Sequence, residues 1–190
     1  MKLVFLIGFA SMILVSYSQN SNEFRTYYEF SGGGFVNNDL DGKPSYQFSN
    51  FREVGVKYLR KIKNNLYFET GLDYQQADLL SHLNIIPNPI VIKEIFQMVT
   101  IPIFINYNFG KYFFVNGGLI YYVQSSANSL IATQTGIGYN IGIGGRYDFK
   151  KYFIYVIPNF KKHTNIRIIM DEDNQKLTKI GFQLGVGFKF

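Results

Sequence analysis

Apolar and polar side chains alternate along much of this chain. The last segment, 177–190, shows the pattern most clearly. One set of alternate positions is wholly apolar: Ile180, Phe182, Leu184, Val186, Phe188 and Phe190. The other set is glycine or polar: Lys179, Gly181, Gln183, Gly185, Gly187 and Lys189. Because successive side chains of a β-strand point to opposite faces, the segment predicts a strand with one apolar face.

The period-two pattern recurs along the chain and predicts about eight strands. They span residues 24–36, 46–60, 66–78, 93–109, 112–125, 134–148, 152–164 and 177–190. The seventh is apolar on both faces, so its facing stays open. Long connections (37–45, 79–92, 126–133, 165–176) alternate with short ones (61–65, 110–111, 149–151). This alternation predicts an all-β, closed antiparallel barrel with both termini at the short-turn end.

The polar face of these strands carries four charges of each sign. They are Arg25, Glu29, Glu53, Lys57, Glu69, Asp73, Arg146 and Lys179. A soluble, lipocalin-like barrel would turn this face to water, whereas a transmembrane barrel would turn it inward. A Lys or Arg facing lipid at mid-depth would cost about 2–4 kcal/mol, so eight outward charges would prevent insertion. We therefore predict a transmembrane β-barrel with these residues as an interior charge network.

Two further features favour the membrane barrel. The polar face is rich in glycine, which suits a narrow interior better than a solvated strand surface. Aromatic residues crowd the turn-side ends, as in the belts of membrane barrels. These residues are Tyr58, Tyr67, Phe68, Tyr107, Phe109, Tyr112, Phe113, Tyr147, Tyr152, Phe188 and Phe190. In this orientation the short turns are periplasmic and the long loops are extracellular.

We expect side chains to fill the interior of such a barrel and plug it, so that it does not form a pore. Eight strands enclose a space that side chains just fill, and buried charges there require partners. A conducting channel would need a wider barrel or a rearrangement of the pairs, and it remains the alternative.

The first residues are typical of a secretory signal. A basic start at Lys2 precedes an apolar run over 3–15 and a small-residue site at 16–18. The run is shorter than the ~20 residues of a membrane-spanning helix. We therefore predict a cleaved signal peptide at 1–18 and a barrel domain at 19–190. The net charge is +6, but Lys and Arg are spread along the chain without a patch, which argues against nucleic-acid binding.

Candidate catalytic chemistry is sparse. There is no Cys, and the histidines are His82 and His163, interpreted as exposed loop residues without companions at metal-ligand spacing. Ser81 or Ser125 with His163 and Glu29 could in principle form a site like that of outer-membrane lipid A deacylases, but no such motif is matched. We predict no enzyme activity, cofactor or metal.

Two long loops are unusually apolar. Loop 79–92 holds a Pro-Asn-Pro turn between apolar flanks, and loop 165–176 leads into an acidic tip at 171–174. Such surfaces can bind an extracellular ligand or protein, or they can pack on one another above the rim. Both interpretations stay open.

The order of segments resembles the outer-membrane β-barrel (porin-like) proteins of Bacteroidota. The resembling pieces are 16–19, 57–59, 66–72, 101–103, 106–110, 138–144 and 187–190. The resemblance implies a Gram-negative outer membrane, with its lipids as surroundings, and no shared catalytic residues. It also implies that Phe188 and Phe190 form the terminal signal read by the barrel-assembly machinery, a transient partner.

Three functions remain possible at this stage. The first is a non-enzymatic surface structural or binding protein. The second is a small porin or hydrophobic-compound channel, and the third is a lipid-modifying enzyme or an accessory barrel of a secretion system.

Overall fold

A computed structural model describes residues 22–35, 45–83, 90–126, 135–167 and 174–190. They form eight strands: β1 (Asn22–Phe35), β2 (Ser45–Lys63), β3 (Leu66–Leu83), β4 (Ile90–Phe109), β5 (Phe113–Gln124), β6 (Thr135–Phe149), β7 (Tyr152–Arg167) and β8 (Asn174–Lys189). Within these ranges no helix is long and apolar enough to cross a membrane. The predicted signal peptide at 1–18 lies outside the described residues.

The strands close into a barrel, which confirms the predicted fold. Each strand pairs antiparallel with its neighbours, and β1 also pairs with β8. The pairing that starts at Glu23 and passes through every strand returns to β1 at Gly33, ten residues further along. Such a shear tilts the strands steeply, and with eight strands the interior is one that side chains fill.

Several strands run further than the sequence pattern predicted. β3 continues to Leu83 and β4 begins at Ile90, so most of the predicted loop 79–92 is strand. β7 and β8 likewise extend into the predicted loop 165–176. β4 has 20 residues against 12 in β5, so the β3–β4 hairpin, with β2 paired alongside it as far as Ser45, extends beyond the end of β5 at the long-loop end. Backbone hydrogen bonds between neighbouring strands continue past the segments in which apolar and polar side chains alternate. The strands are therefore longer than the alternation predicts.

Glycines of the inward face make room for aromatic rings on neighbouring strands. Gly144 lies opposite Phe114, and Gly187 lies opposite Phe153. A Cβ at either glycine would overlap the facing ring. The glycine-rich segments are therefore a packing requirement of the narrow interior.

The short turns reverse the chain within two or three residues. Gly110, after β4, has a φ of 71°, a left-handed conformation that costs glycine little. Lys150, after β6, adopts a similar left-handed conformation with a φ of 61°, although its Cβ makes that conformation less favourable than it is for glycine. These turns place the ends of β2, β4 and β6 at the same rim as both ends of the described barrel, where Asn22 and Phe190 exchange backbone hydrogen bonds.

Candidate functional site

The two faces of the barrel wall differ sharply in chemistry. Leu184 is 49% exposed on the outside, whereas its neighbour Gln183 is 1% exposed inside. Every strand has an apolar outward residue with between 42% and 57% exposure: Phe24, Val56, Leu72, Ile103, Leu119, Ile141, Ile154 and Leu184. Aromatic residues stand at the short-turn end, and a second set lies toward the long-loop end: Phe30, Tyr74, Tyr121, Tyr139 and Phe182. Between the two sets, the described outward positions hold no charged side chain.

A cluster of charges fills the interior near the short turns. Glu23 accepts from both Arg25, at 2.7 Å, and Arg146, at 2.9 Å. Arg146 also pairs with Asp148 at 3.0 Å, and Lys189 reaches the same carboxylate at 2.9 Å. The Arg25 guanidinium lies over aromatic rings, with its Cζ 4.9 Å from the centroid of Phe114. Such cation–π contacts stabilise a desolvated guanidinium that has few carboxylate partners.

Glu69 links this cluster to the middle of the barrel. Its carboxylate lies 3.1 Å from Lys57 Nζ and 3.8 Å from Arg25. The amides of Asn106 and Asn116 donate to it at 3.0 and 3.2 Å. A buried carboxylate is tolerated when cations and donors surround it in this way.

Two carboxylates share one lysine in the half of the interior toward the long loops. Lys161 Nζ lies 2.7 Å from Glu29 Oε2 and 2.5 Å from Glu53 Oε1. Lys179 is 3.8 Å from the other oxygen of Glu53 and donates to Gln75. The arrangement is a network, so removal of one member leaves several others without a partner.

Glu29 and Glu53 also receive neutral donors. Asn159 and Gln183 donate to Glu29 at 3.1 and 2.6 Å. The Tyr27 hydroxyl donates to Glu53 at 2.6 Å.

Asp73 differs from the other interior acids. It has no ion pair within 4.0 Å among the described residues, and its Oδ1 has no hydrogen-bond partner there. The space that it lines together with Glu53, Lys161 and His163 has no room for a water molecule. The interior is therefore filled by side chains at this level.

An apolar plug closes the interior toward the long loops. It is a cluster of buried side chains: Phe51, Ala77, Leu79, Phe96, Met98, Tyr122 and Leu177. His163 packs under it, with its ring centroid 5.0 Å from that of Tyr122. The plug lies on the same inward positions as the charges but beyond them, so it separates the charged interior from the long-loop side.

The structure places all eight predicted charges inside the barrel. Arg25, Glu29, Glu53, Lys57, Glu69, Asp73, Arg146 and Lys179 are each at most 8% exposed. The sequence analysis missed two buried members, Glu23 and Lys161, and two half-buried ones, Asp148 and Lys189. Glu23 precedes the predicted start of the first strand by one residue. Lys161 lies on the seventh strand, whose facing was open. It is two residues from Asn159 and eight from Phe153, and this even spacing, which places all three side chains on one face, is the signal that could have found it.

Two interpretations from the sequence are corrected. His163 is not an exposed loop residue, since it is 1% exposed inside β7. Tyr67, assigned to the turn-side aromatic belt, lies on the inward register opposite Asn106. Both errors have one physical cause: strand parity, not loop proximity, decides which face a side chain takes. The deacylase-like combination of Ser125, His163 and Glu29, for which the sequence matched no motif, is not assembled either, because Ser125 is exposed at the long-loop end and Glu29 is buried in the interior.

Other candidate chemistry falls on residues whose side chains the structure does not describe. The side chains of Ser81 and His82 are among them. Within the described ranges, no group of three or more His, Cys, Asp or Glu could hold a metal ion.

The β3–β4 hairpin carries a polar contact on its outer surface. Lys93 lies 3.1 Å from Asp78, and Asn50 donates to the same carboxylate at 2.9 Å. Asn50 sits at a register shift of β2, in a left-handed conformation with a φ of 52°. The contact ties β2 to the protruding hairpin above the apolar outer surface.

Comparison with known proteins supports the fold. No protein-family model matches the chain, and no curated protein matches it. Among solved structures, the outer membrane protein OprG from Pseudomonas aeruginosa has a TM-score of 0.54 at 12% identity, over 91% of this chain and 98% of that one. The outer membrane protein AlkL, solved in DMPC lipid bilayers, has a TM-score of 0.51 at 13% identity, over 92% and 93%.

The chain therefore shares the fold of eight-stranded outer-membrane β-barrel proteins. At these identities the likeness concerns the fold alone.

Proposed function

We propose that this chain is an integral outer-membrane β-barrel of a Gram-negative bacterium, of the Bacteroidota type. In this proposal it is a non-enzymatic structural or binding protein of the cell surface. One observation carries the proposal: a continuous apolar outer wall encloses a paired, side-chain-filled charged interior. In water, the outer wall would expose far more contiguous apolar surface than soluble proteins tolerate. In a bilayer the same wall is solvated by acyl chains.

The plugged interior supports a surface role over conduction. Apart from Asp73, the predicted charges are ion-paired, the space at the Glu53 level has no room for a water molecule, and the apolar plug covers the long-loop end. A transmembrane strand needs about 9–11 residues, so the 18 and 20 residues of β3 and β4 extend well past the bilayer. The protruding β3–β4 and β7–β8 hairpins are the surfaces that we propose for an extracellular ligand or protein.

Partners follow from the same proposal. Outer-membrane lipids surround the wall, and the barrel-assembly machinery binds the terminal strand transiently through Phe188 and Phe190. Export depends on the predicted signal at 1–18.

Insertion and topology are tested together in cells and in detergent. A folded barrel migrates faster on unboiled than on boiled gels, and an epitope placed at 84–89, between β3 and β4, is labelled on intact cells. An epitope in the short β4–β5 turn, at Lys111, is the matched control and is labelled only after the outer membrane is opened. A protein that stays soluble without detergent, or that labels at both positions equally, contradicts the proposal.

Conduction is tested in planar bilayers. The proposal expects no steady unit conductance from the purified protein. Steady unit currents would instead favour a small porin or hydrophobic-compound channel, in which the interior pairs and the plug rearrange.

A further inference from the structure

The outer wall has a groove on β6, β7 and β8 near the short turns. It has a volume of about 600 Å³ and is lined by Gly145, Tyr147, Ile154, Val156, Leu184 and Val186. The groove exists because Gly145 presents no side chain on the outward face. A Cβ built there would meet only Val156, at 3.8 Å.

A basic turn lies directly below this groove. Tyr147 pairs with Ile154 at the groove, Phe149 pairs with Tyr152 one step further, and the turn at 150–151 closes the hairpin. Along the strand, the turn is at most about 10 Å from the groove. Lys150 and Lys151 are exposed, and neither forms an ion pair among the described residues.

The nearby carboxylate does not neutralise these lysines. Asp148 is already paired with Arg146 and with Lys189. The turn therefore keeps two uncompensated positive charges beside an apolar slot that is continuous with the lipid-facing wall.

From this juxtaposition we propose a binding site for one anionic phospholipid of the periplasmic leaflet. An acyl chain lies in the groove over Gly145, and the phosphate of the headgroup contacts Lys150 and Lys151. The inference rests on the membrane orientation proposed above. It goes further because it assigns a particular lipid class to a particular place on the wall.

Competition between two lipids tests the site. The detergent-purified protein is mixed with equal amounts of phosphatidylglycerol and phosphatidylethanolamine with identical acyl chains, and bound lipids are counted by native mass spectrometry. We expect one phosphatidylglycerol to be retained in preference. Each lysine near an anionic lipid contributes about a five-fold factor, equivalent to ~1 kcal/mol, so K150Q/K151Q should lower the preference about 25-fold.

Matched variants distinguish an effect specific to this groove and its turn from the effect of removing positive charge, or adding a large side chain, elsewhere on the barrel. K61Q/K63Q removes the same charge from the short-turn end of β2 and should leave retention unchanged. G145L fills the groove and should reduce retention of both lipids, whereas G32L adds the same side chain to an outward site of β1 and should not. Gly32 has nothing within 4 Å of an added Cβ, so the substitution is tolerated there.

The failures of the two proposals are distinguishable. Unboiled gels report whether each variant is folded. If the wild type folds as a heat-modifiable barrel but retains both lipids equally, or if K61Q/K63Q acts as strongly as K150Q/K151Q, the lipid site is refuted and the barrel assignment stands. Loss of a dimer in G145L, with lipid retention unchanged, would assign the groove to a second copy of the chain and also refute the lipid site.

Discussion

Lys161 offers the sharpest test of the interior network. Its ammonium is the shared partner of Glu29, at 2.7 Å, and of Glu53, at 2.5 Å. Substitution by methionine keeps the length and apolar bulk of the side chain and removes the charge. Two buried carboxylates then lose their main cation.

The expected loss of stability is large for a single substitution. Breaking a buried ion pair by removing one partner costs about 3–5 kcal/mol. Here Asn159 and Gln183 still donate to Glu29, and Lys179 remains 3.8 Å from Glu53. These partners place the Lys161→Met loss at the lower end, about 3 kcal/mol, or roughly 150-fold in the unfolding equilibrium.

The adjacent lysine provides the control. Lys162 lies on the outward face of β7, half-buried, opposite Thr178. A charge near the membrane interface contributes only ~0–1 kcal/mol, so Lys162→Met should change stability by less than about 1 kcal/mol. Equilibrium unfolding by guanidinium chloride in phospholipid vesicles, followed by far-ultraviolet circular dichroism and by unboiled gels, measures both variants.

A compensating variant keeps the test decisive if Lys161→Met does not fold. Lys161→Met with Glu53→Gln removes one charge of each sign, and it should recover about half of the loss or more, because removing both partners of a pair costs less than removing one. The reasoning is refuted if Lys161→Met costs less than 1 kcal/mol, or no more than Lys162→Met. Absence of any recovery in the double variant would also refute it.

The remaining predictions concern the wall, the plug and the inward glycines. A spin label at Leu184 should be relaxed by dissolved oxygen, and one at Gln183 by neither oxygen nor aqueous nickel; nickel access at Leu184 would reverse the barrel's facing. Phe96→Ala in the plug should cost about 3–5 kcal/mol in the same unfolding assay, whereas Ile95→Ala on the outer surface should cost much less, and equal losses would argue against a packed plug. Gly187→Ala should destabilise the barrel by at least 1 kcal/mol because its methyl group overlaps the facing ring; an unchanged unfolding midpoint contradicts this packing.

The closed barrel could be predicted because the side chains of its outward face and those of its inward face differ in chemistry. On β8 the outward set from Ile180 to Phe190 is uniformly apolar, and the inward set is glycine or polar. A pattern of period two, repeated with alternating long and short connections, leaves few other folds. Strand parity then places the eight predicted charges on one face without any knowledge of their partners.

The seventh strand shows where this reasoning ends. Inward residues Phe153 and Tyr155 are as apolar as outward Ile154, so β7 alone does not reveal its facing. The inward rings are there because Gly187 and Gly185 on β8 leave room for them. That requirement depends on the pairing of β7 with β8 and not on β7 alone, and it hid Lys161 from the sequence analysis.

The apolar plug was missed for a related reason. Phe51, Leu79 and Phe96 continue the inward parity of their strands, but they are apolar where the inward face had been polar. The change of chemistry along one face looks like the end of a strand, and the sequence pattern accordingly assigned Leu79 to a loop although it continues the ladder with β2. Only the register, which brings Leu79 and Leu177 from separate hairpins to one level, shows that they form a single cluster.

The division of the interior into a charged part and an apolar part bears on where function can reside. The outer wall is constrained by the apolar phase that we propose around it, and the inner face below the plug is constrained by packing and by charge pairing. A ligand that reached Glu53 from the long-loop side would have to displace the plug and then disrupt ion pairs, each step costing several kcal/mol. The strand extensions beyond the plug carry neither constraint, and the Asp78–Lys93 contact shows that polar groups appear on the outer surface where these extensions begin. Recognition by this barrel is therefore expected at the β3–β4 hairpin, with the interior serving as the rigid support that holds it above the membrane.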